Sequence, residues 1–344
     1  MKNRNIKRIL SYVGVTAFTL LVLVIFLMPF IYGLVTSVKT QLQIANVDAP
    51  FIPSVQKTFE YQGKKYDVVA LKTDSGTQQV ALIKKTRTKS ILLDIETPGS
   101  QPFEWEGKWQ TLEPMWERSI QWKNYNTAWN SIKFLKLLGN TVFYAVFSTF
   151  GAVCSAAFVS YGFARFKFPY RDTLFIVVVS TIILPPAVTL IPRYAFFYKM
   201  GMIGSWLPVI LPQYFSNGWN IFLLRQFFMG IPREMDEAAK IDGAGYLRTF
   251  FSVILPQAVP ALVAVTLFHF FYCWNDFLEP LIYLAGNADS FPITIGLTQF
   301  NRLFTRQTEL VQAATVMSLA IPVFIFFFAQ RFFMQGVVVT GVEK

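Results

Sequence analysis

Long stretches without a charged residue alternate with short basic or mixed-charge segments along this chain of 344 residues. A helix that crosses a bilayer needs about 20 mostly apolar residues. Six such spans are predicted, at roughly 9–37, 134–160, 172–196, 206–229, 257–284 and 308–334. The first is uncharged from Ile9 to Val38. It is far longer than a signal-peptide core and no small-residue cleavage site follows it, so it reads as a retained span. Prolines recur inside the spans, in "LPPAV" (Pro185, Pro186), "LPVILP" (Pro208, Pro212) and at Pro322. Each removes a backbone donor and kinks a helix unless neighbours satisfy the freed carbonyls. Such helices suit a bundle around a pathway, and equally suit a bundle kinked only for packing.

The pattern changes between the first and second spans. "YDVVALK", "QQVALIKK" and "KSILLDIE" are short segments rich in β-branched residues, the first two joined by the turn-former "TDSGT". A meander of three strands is predicted, with "FEWEGKW" as a further strand. So small a sheet has a thin core, and it is expected to lean on the membrane part or on a partner. Trp116, Trp122, Tyr125 and Trp129 then precede the second span among lysines, as in a segment lying at the outer membrane interface.

Composition agrees with this pattern, since 53% of residues are hydrophobic and only 15% charged. The net charge of +11 does not point to nucleic acid, because Lys and Arg gather at the ends of apolar runs. Lys2, Arg4, Lys7 and Arg8, then "ARFKFPYR", then Arg233, Lys240 and Arg248, then Arg331 all fall on one face of a six-span topology. That face, with both termini, is cytoplasmic by the positive-inside rule. The lysine-rich loop from 40 to 133 is long enough to be exempt. The expected fold is an all-α polytopic membrane protein of six helices, with a small β-rich extracytoplasmic insert between the first and second. Cys154 and Cys273 lie in apolar runs, away from any disulfide or metal spacing.

One polar island, "PREMDEAAKIDGAG" from Pro232 to Gly245, separates the fourth and fifth spans. Pro232 fits a first helical turn, and Glu234, Asp236 and Glu237 complement the positive end of the dipole. Asp236 and Lys240 stand four apart for an ion pair, with Met235, Ala238 and Ala239 on an apolar face. Gly243 supplies a left-handed cap and Gly245 a second break. "YLRTFFSVILP" resumes as a helix expected to end before Pro256. The product is a helix, a turn and a helix. Two alanines side by side on an exposed helix let another surface approach closely, while a surface hairpin with good helix propensity would read the same way.

"EAAKIDGAGYLRTFFSVILP" resembles the cytoplasmic signature of binding-protein-dependent ABC import permeases, with Glu237, Ala238, Ala239, Gly243, Leu255 and Pro256 in their places and Val253 where that signature has Ile. "NTVFYAVFSTFGAVCSAAFVSYGFARFKFPYRD", "WNDFLEPLIYL" and "AQRFFMQGVVVTGVEK" narrow the likeness to the carbohydrate-uptake, maltose-type branch over about residues 1–40 and 120–344. The β-rich insert departs from that branch. The resemblance implies four regions: 1–39, the cytoplasmic end and first helix; 40–133, the insert and interfacial segment; 134–335, the permease core with its cytoplasmic segment 231–256; and 336–344, a cytoplasmic tail. It also implies that Glu237, Ala238, Ala239, Asp242, Gly243, Leu255 and Pro256 dock an ATP-hydrolysing subunit, and that the tail with Gly336 and Gly341 reaches toward it.

The partners implied are a second, homologous permease, a dimer of ATPase subunits and an extracytoplasmic solute-binding protein, assembled in the cytoplasmic (inner) membrane of a bacterium or archaeon. No cofactor is expected in this chain, and ATP with Mg belongs to the partner, since no GxxxxGK[ST] loop is present. For the solute path, Asn217, Trp219 and Asn220 in span four and Trp274, Asn275, Asp276 and Glu279 in span five are candidates, because polar groups at membrane depth face protein or a cavity. Interhelical hydrogen bonding is the competing role. His269, the one histidine of the chain, reads as a packing or helix-to-helix group. No catalytic or metal-ligating set is found: there is no HExxH, no GxSxG and no carboxylate pair near the histidine. The function expected is sugar or oligosaccharide import by alternating access. A glycerol phosphate, sugar alcohol, amino acid or peptide permease is the alternative, followed by an ATP-independent carrier or channel.

Overall fold

The computed structural model describes residues 2–73, 76–86, 89–97, 99–301 and 307–338, with side chains from residue 12 to residue 331 within those ranges. It divides into two compact units, one of residues 1–128 with 300–317, the other of residues 129–299 with 318–344.

The first unit opens with α1 (Lys2–Ser37), whose uncharged run lies exposed along most of its length. Its C-terminal carbonyls, orphaned as at any helix end, are met from farther along the chain. The Asn124 Nδ2 donates to the carbonyls of Ser37 and Lys39, at 2.9 and 2.8 Å. A short helix α2 (Gln41–Ala45) follows. The buried Gln43 there accepts from the Ser54 amide and donates to the carbonyls of Pro50 and Ile52, pinning the chain where the sheet begins.

Eight strands follow: β1 (Ser54–Gln56), β2 (Thr58–Tyr61), β3 (Lys64–Thr73), β4 (Gly76–Lys84), β5 (Lys89–Asp94), β6 (Phe103–Glu106), β7 (Glu113–Pro114) and β8 (Trp116–Arg118). The antiparallel sheet runs β2-β3-β4-β5-β6, with β7 also on β3. Asp74 and Ser75 of the predicted turn lie outside the described residues, and the flanking pair Thr73↔Gly76 fixes the hairpin register. Val69, Leu71, Val80, Leu82, Leu92 and Leu112 form its core beneath Trp105 and Trp109. The alternate positions Val68, Ala70, Ala81 and Leu93 are buried as well, so the centre of the sheet has no wet face. A separate two-strand ladder of β1 and β8, from Ser54↔Arg118 to Gln56↔Trp116, closes the base of the insert. After α3 (Lys123–Ser131) the chain passes into the second unit.

There α4 (Phe134–Arg165) is the long central helix. Small buried residues, Ala152, Ala156, Ala157, Ser160 and Ala164, let other elements approach its backbone. Against them pack Ile221, Leu224 and Phe228 of α8 (Gly218–Gly230), and the Ser160 hydroxyl donates to the Ile221 carbonyl at 2.9 Å.

The third predicted span is bent rather than straight. α5 (Arg171–Ser180) with its following 3-10 turn and α6 (Pro186–Lys199) meet at 97°. Pro185 and Pro186 supply no amide donors, and the residue before them, Leu184, is extended (ψ 118°).

The fourth predicted span, 206–229, is not one helix. α7 (Leu207–Ile210) runs into a 3-10 turn, Ser216 takes φ 56°, and α8 restarts under Asn217. The two prolines and the left-handed residue break the ladder that a continuous span needs.

After α9 (Glu234–Ile241), α10 (Tyr246–Thr249) leads through a π-helical turn (Phe250–Ile254) into α11 (Leu255–Gln257), then bends by 80° into α12 (Val259–Asn275). The helix expected to stop before Pro256 therefore continues past it, and the widened turn accommodates the missing amide. α13 (Leu278–Tyr283), α14 (Ile293–Gly296) and α15 (Thr308–Val338) complete the chain. Among the described residues, three helices are long and apolar enough to cross a membrane, or five if each bent pair is one span.

Candidate functional site

The polar island forms the helix and turn that its residues dictate. α9 carries Glu234, Asp236 and Glu237 in its first turn. It closes with Gly243 at φ +74°, where the Gly243 amide donates to the Lys240 carbonyl (3.0 Å) and the Ala244 amide to the Ala239 carbonyl (2.8 Å). These two bonds are the Schellman pair of a helix C-terminus, which needs the left-handed residue glycine tolerates.

The ion pair predicted within this helix is not the one formed. Asp236 instead faces Arg165 at the end of α4, at 3.3 Å, with the two side chains 16% and 5% exposed. Arg165 also donates to the Ile231 carbonyl at 2.9 Å. Lys240 lies 5.9 Å from the Tyr246 ring centre. Nothing in the local sequence marks Arg165, because its partner stands 71 positions away in an otherwise charge-sparse chain. A buried guanidinium needs such partners, and it finds the carboxylate on α9 and the carbonyl at the C-cap of α8.

The two alanines divide. Ala239 is buried and Met235 packs against the core of α4, α8 and the π turn, while Ala238 stays at the surface with Glu237, Asp242 and Gly243. Beside them Ile241 is 86% exposed and Leu247 67%. Leu255 is half-buried and Pro256 exposed. These apolar side chains stand at the surface beside the charges of α9. Gly336 falls within α15, and Gly341 lies outside the described residues.

The seven residues proposed for the solute path fall in two places. Asn217 caps α8, its Oδ1 accepting from the Asn220 amide at 2.9 Å, and Trp219 is half exposed. Asn220 is buried, with Nδ2 3.2 Å from His269 Nδ1, so α8 and α12 are joined by an amide–imidazole bond. Asn217, Trp219 and Asn220 line one cavity of about 530 Å3, together with His269 and Tyr272. Gly218 beside them has no room for a side chain, since a Cβ would stand 2.5 Å from the Val178 carbonyl oxygen.

The other four serve different neighbours. Trp274 is buried against Phe270, ring centres 5.5 Å apart. The Asn275 Nδ2 donates to the Phe271 carbonyl of its own helix. Asp276 accepts from the Tyr144 hydroxyl at 2.8 Å. Glu279 accepts both Nη groups of Arg193, at 3.0 and 3.1 Å, a bidentate pair that ties α13 to α6. Sequence reasoning missed Arg193 and Tyr144 as the partners that occupy these carboxylates.

Residues 153–339 match the family described as the binding-protein-dependent transport system inner membrane component, and the chain belongs to that family. It is a multi-pass membrane permease subunit of the ABC type and not itself an enzyme. Over 222 residues it is 34% identical to the osmoprotective compounds uptake permease protein GgtD of Synechocystis sp., covering 64% of this chain and 74% of that protein. Over 205 residues it is 30% identical to the arabinooligosaccharides transport system permease protein AraQ of Halalkalibacterium halodurans, covering 60% and 73%. Its fold resembles a chain in the crystal structure of a bacterial ABC transporter involved in the import of the acidic polysaccharide alginate (TM-score 0.64, 19% identity, 95% and 97% covered).

Proposed function

We propose that this chain forms half of the translocation pathway of a sugar or oligosaccharide importer, and that α9, its turn and α10 couple the pathway to an ATPase subunit in trans. The observation that carries the coupling is the surface made by Ala238, Ile241 and Leu247 around the Gly243 turn, apolar and exposed beside Glu237. An ATP-driven closure that moves this surface would pull α4 with it through Arg165 and Asp236. The bundle would then alternate between inward- and outward-open arrangements, each biased by nucleotide and solute.

Sugar as the cargo class is supported by AraQ among the relatives and by a cavity that mixes aromatic rings with amides. In this reading the chain crosses the membrane six times with both termini cytoplasmic, and the interrupted segment 206–229 contributes a broken crossing. It pairs with a second permease, and a solute-binding protein delivers the cargo from outside. Residues 40–133 are the extracytoplasmic insert. The tail from Gly336 through Gly341 extends toward the ATPase.

Purification in mild detergent should retain an ATPase and a second permease. Glu237→Lys and Gly243→Pro should each abolish solute-stimulated ATP hydrolysis while membrane insertion persists. Full stimulation in both variants would remove the coupling role.

A further inference from the structure

Two arginines of the second unit are answered by acids of their own, Arg165 by Asp236 and Arg193 by Glu279. Arg225, about one and a half turns before the end of α8, is not. Among the described residues it enters no ion pair and no hydrogen bond. Its guanidinium carbon lies 3.9 Å from the centre of the Phe175 ring of α5, and its Nε is buried without a partner. The residue as a whole is half-buried, and its two Nη groups remain open at the surface. A guanidinium carries five donors and does not give up its charge. An acceptor for this one has to come from outside the chain.

The surroundings add positive charge. α5 begins at Arg171, and Arg171 and Asp172 both act electrostatically on Arg225. The Arg171 Nε donates to Asp172 at 3.0 Å, but that carboxylate is 72% exposed, and an exposed pair of this kind is weak. Lys167 joins them along a shallow depression of about 430 Å3 beside Phe168 and Tyr170. Within this group three cations stand against one acid. Just beyond the charges, α5 exposes Leu174, Ile176 and Val177. A cationic cluster that passes directly into an exposed apolar strip matches a molecule with an anionic head and apolar tails.

We infer, building on the membrane topology proposed above, that this cluster seats the phosphate head of an anionic phospholipid of the cytoplasmic leaflet. The Nη groups of Arg225 and Arg171 donate to phosphate oxygens, Lys167 adds charge at the rim, and the acyl chains lie along the exposed strip of α5. The lipid thereby gives Arg225 the counter-charge that Asp236 gives Arg165, and it ties the start of α5 to the end of α8.

The test is native mass spectrometry of the whole importer complex, purified in mild detergent, after addition of phosphatidylglycerol or phosphatidylcholine, each with and without inorganic phosphate. Phosphatidylglycerol should stay on this subunit when it is ejected from the complex, and phosphatidylcholine should not. Arg171→Gln should lower retention about fivefold, and Arg225→Gln about fivefold to tenfold. Arg225→Lys keeps the charge without the planar fork and should fall between wild type and Arg225→Gln, while Lys199→Gln, at the far end of α6, should change nothing. Should Arg225→Gln fail to assemble, Arg171→Gln and Arg225→Lys carry the comparison. Equal retention of the two lipids, or wild-type retention in Arg171→Gln together with Arg225→Gln or Arg225→Lys, would overturn the site. Displacement of the lipid by equimolar inorganic phosphate would also overturn it, in favour of a free anion. Loss of the second permease from Arg225→Gln with lipid retention unchanged would overturn it in favour of a protein partner. Failure of the topology is separable, because Lys167→Cys, with the two native cysteines replaced, would then react with a membrane-impermeant maleimide added outside intact cells, whatever the lipid retention.

Discussion

Replacing either member of the Arg165–Asp236 pair should uncouple the cytoplasmic helix from the bundle, and by unequal amounts. Removing one partner of a buried ion pair costs about 3–5 kcal/mol, because the other charge is left without compensation. Arg165→Met strands Asp236, but that carboxylate is 16% exposed and can recover water, so the cost falls at or below the low end, about 2–3 kcal/mol. Asp236→Asn strands a guanidinium that is only 5% exposed and keeps the Ile231 carbonyl, so about 3–4 kcal/mol is expected. At about 1.4 kcal/mol per tenfold, the opening of α9 should rise by about 30-fold to several hundredfold. Hydrogen exchange of the amides from 234 to 244 reads that opening directly, and solute-stimulated ATP hydrolysis reads its consequence. The double variant Arg165→Met with Asp236→Asn leaves no bare charge, so it should exchange more slowly than Asp236→Asn alone. Unchanged exchange and stimulation in both single variants, or a double variant at the sum of the two, would refute the tether.

Three further outcomes follow from local geometry. Gly243→Ala forces a Cβ into φ +74° and should destabilise the turn by about 1 kcal/mol, lowering stimulated hydrolysis without abolishing it; equal melting and equal stimulation would contradict it. Replacing residues 58–114 with a two-residue turn preserves the β1–β8 ladder, so the trimmed chain should still assemble with its partners but bind the solute-binding protein more weakly, which titration against the assembled complex measures; unchanged affinity would remove the insert from that interface. In the insert, Thr97 donates its hydroxyl and Glu96 its amide to the Asp94 carboxylate, and these bonds hold its pKa below the ordinary carboxylate value. A depressed folded pKa contributes stability above the unfolded value and loses it as pH falls through the folded one. Amides at 96 and 97 should therefore be protected at pH 7 and lose protection as the pH falls through the lowered pKa of Asp94, and Asp94→Asn should remove most of that pH dependence.

Much of this was legible in the chain because the relevant signals are local. The cap at Gly243, the N-terminal acids of α9 and the four strand segments each depend on residues within a few positions. The β1 and β8 ladder and the two-residue β7 carry no such signal, since three or fewer residues hold no period and the partner lies some 60 positions away for the ladder and some 44 for β7. Span boundaries failed where proline and left-handed residues meet. A hydropathy window averages over Pro185 and Pro186, at the bend of the third predicted span, and over Ser216, at the break in the fourth. Charge partners failed for a different reason. Asp236 and Lys240 share a helix at favourable spacing, yet Arg165 reaches Asp236 first because a buried cation gains more from a carboxylate than an exposed lysine does. The polar residues of span five were legible as candidates for a path, but their partners were not. Asp276 and Glu279 are costly at depth, and Tyr144 and Arg193 are there to satisfy them.

The central claim, that the exposed face of α9 is where an ATPase subunit docks, is tested most directly by cross-linking. With Cys154 and Cys273 replaced, a single cysteine at Ala238 should form a covalent product with the co-purified ATPase subunit, while one at Val47, 97% exposed at the edge of the insert, should form none. No product from position 238 in an assembled, ATP-hydrolysing complex, or the same product from position 47, would contradict the account.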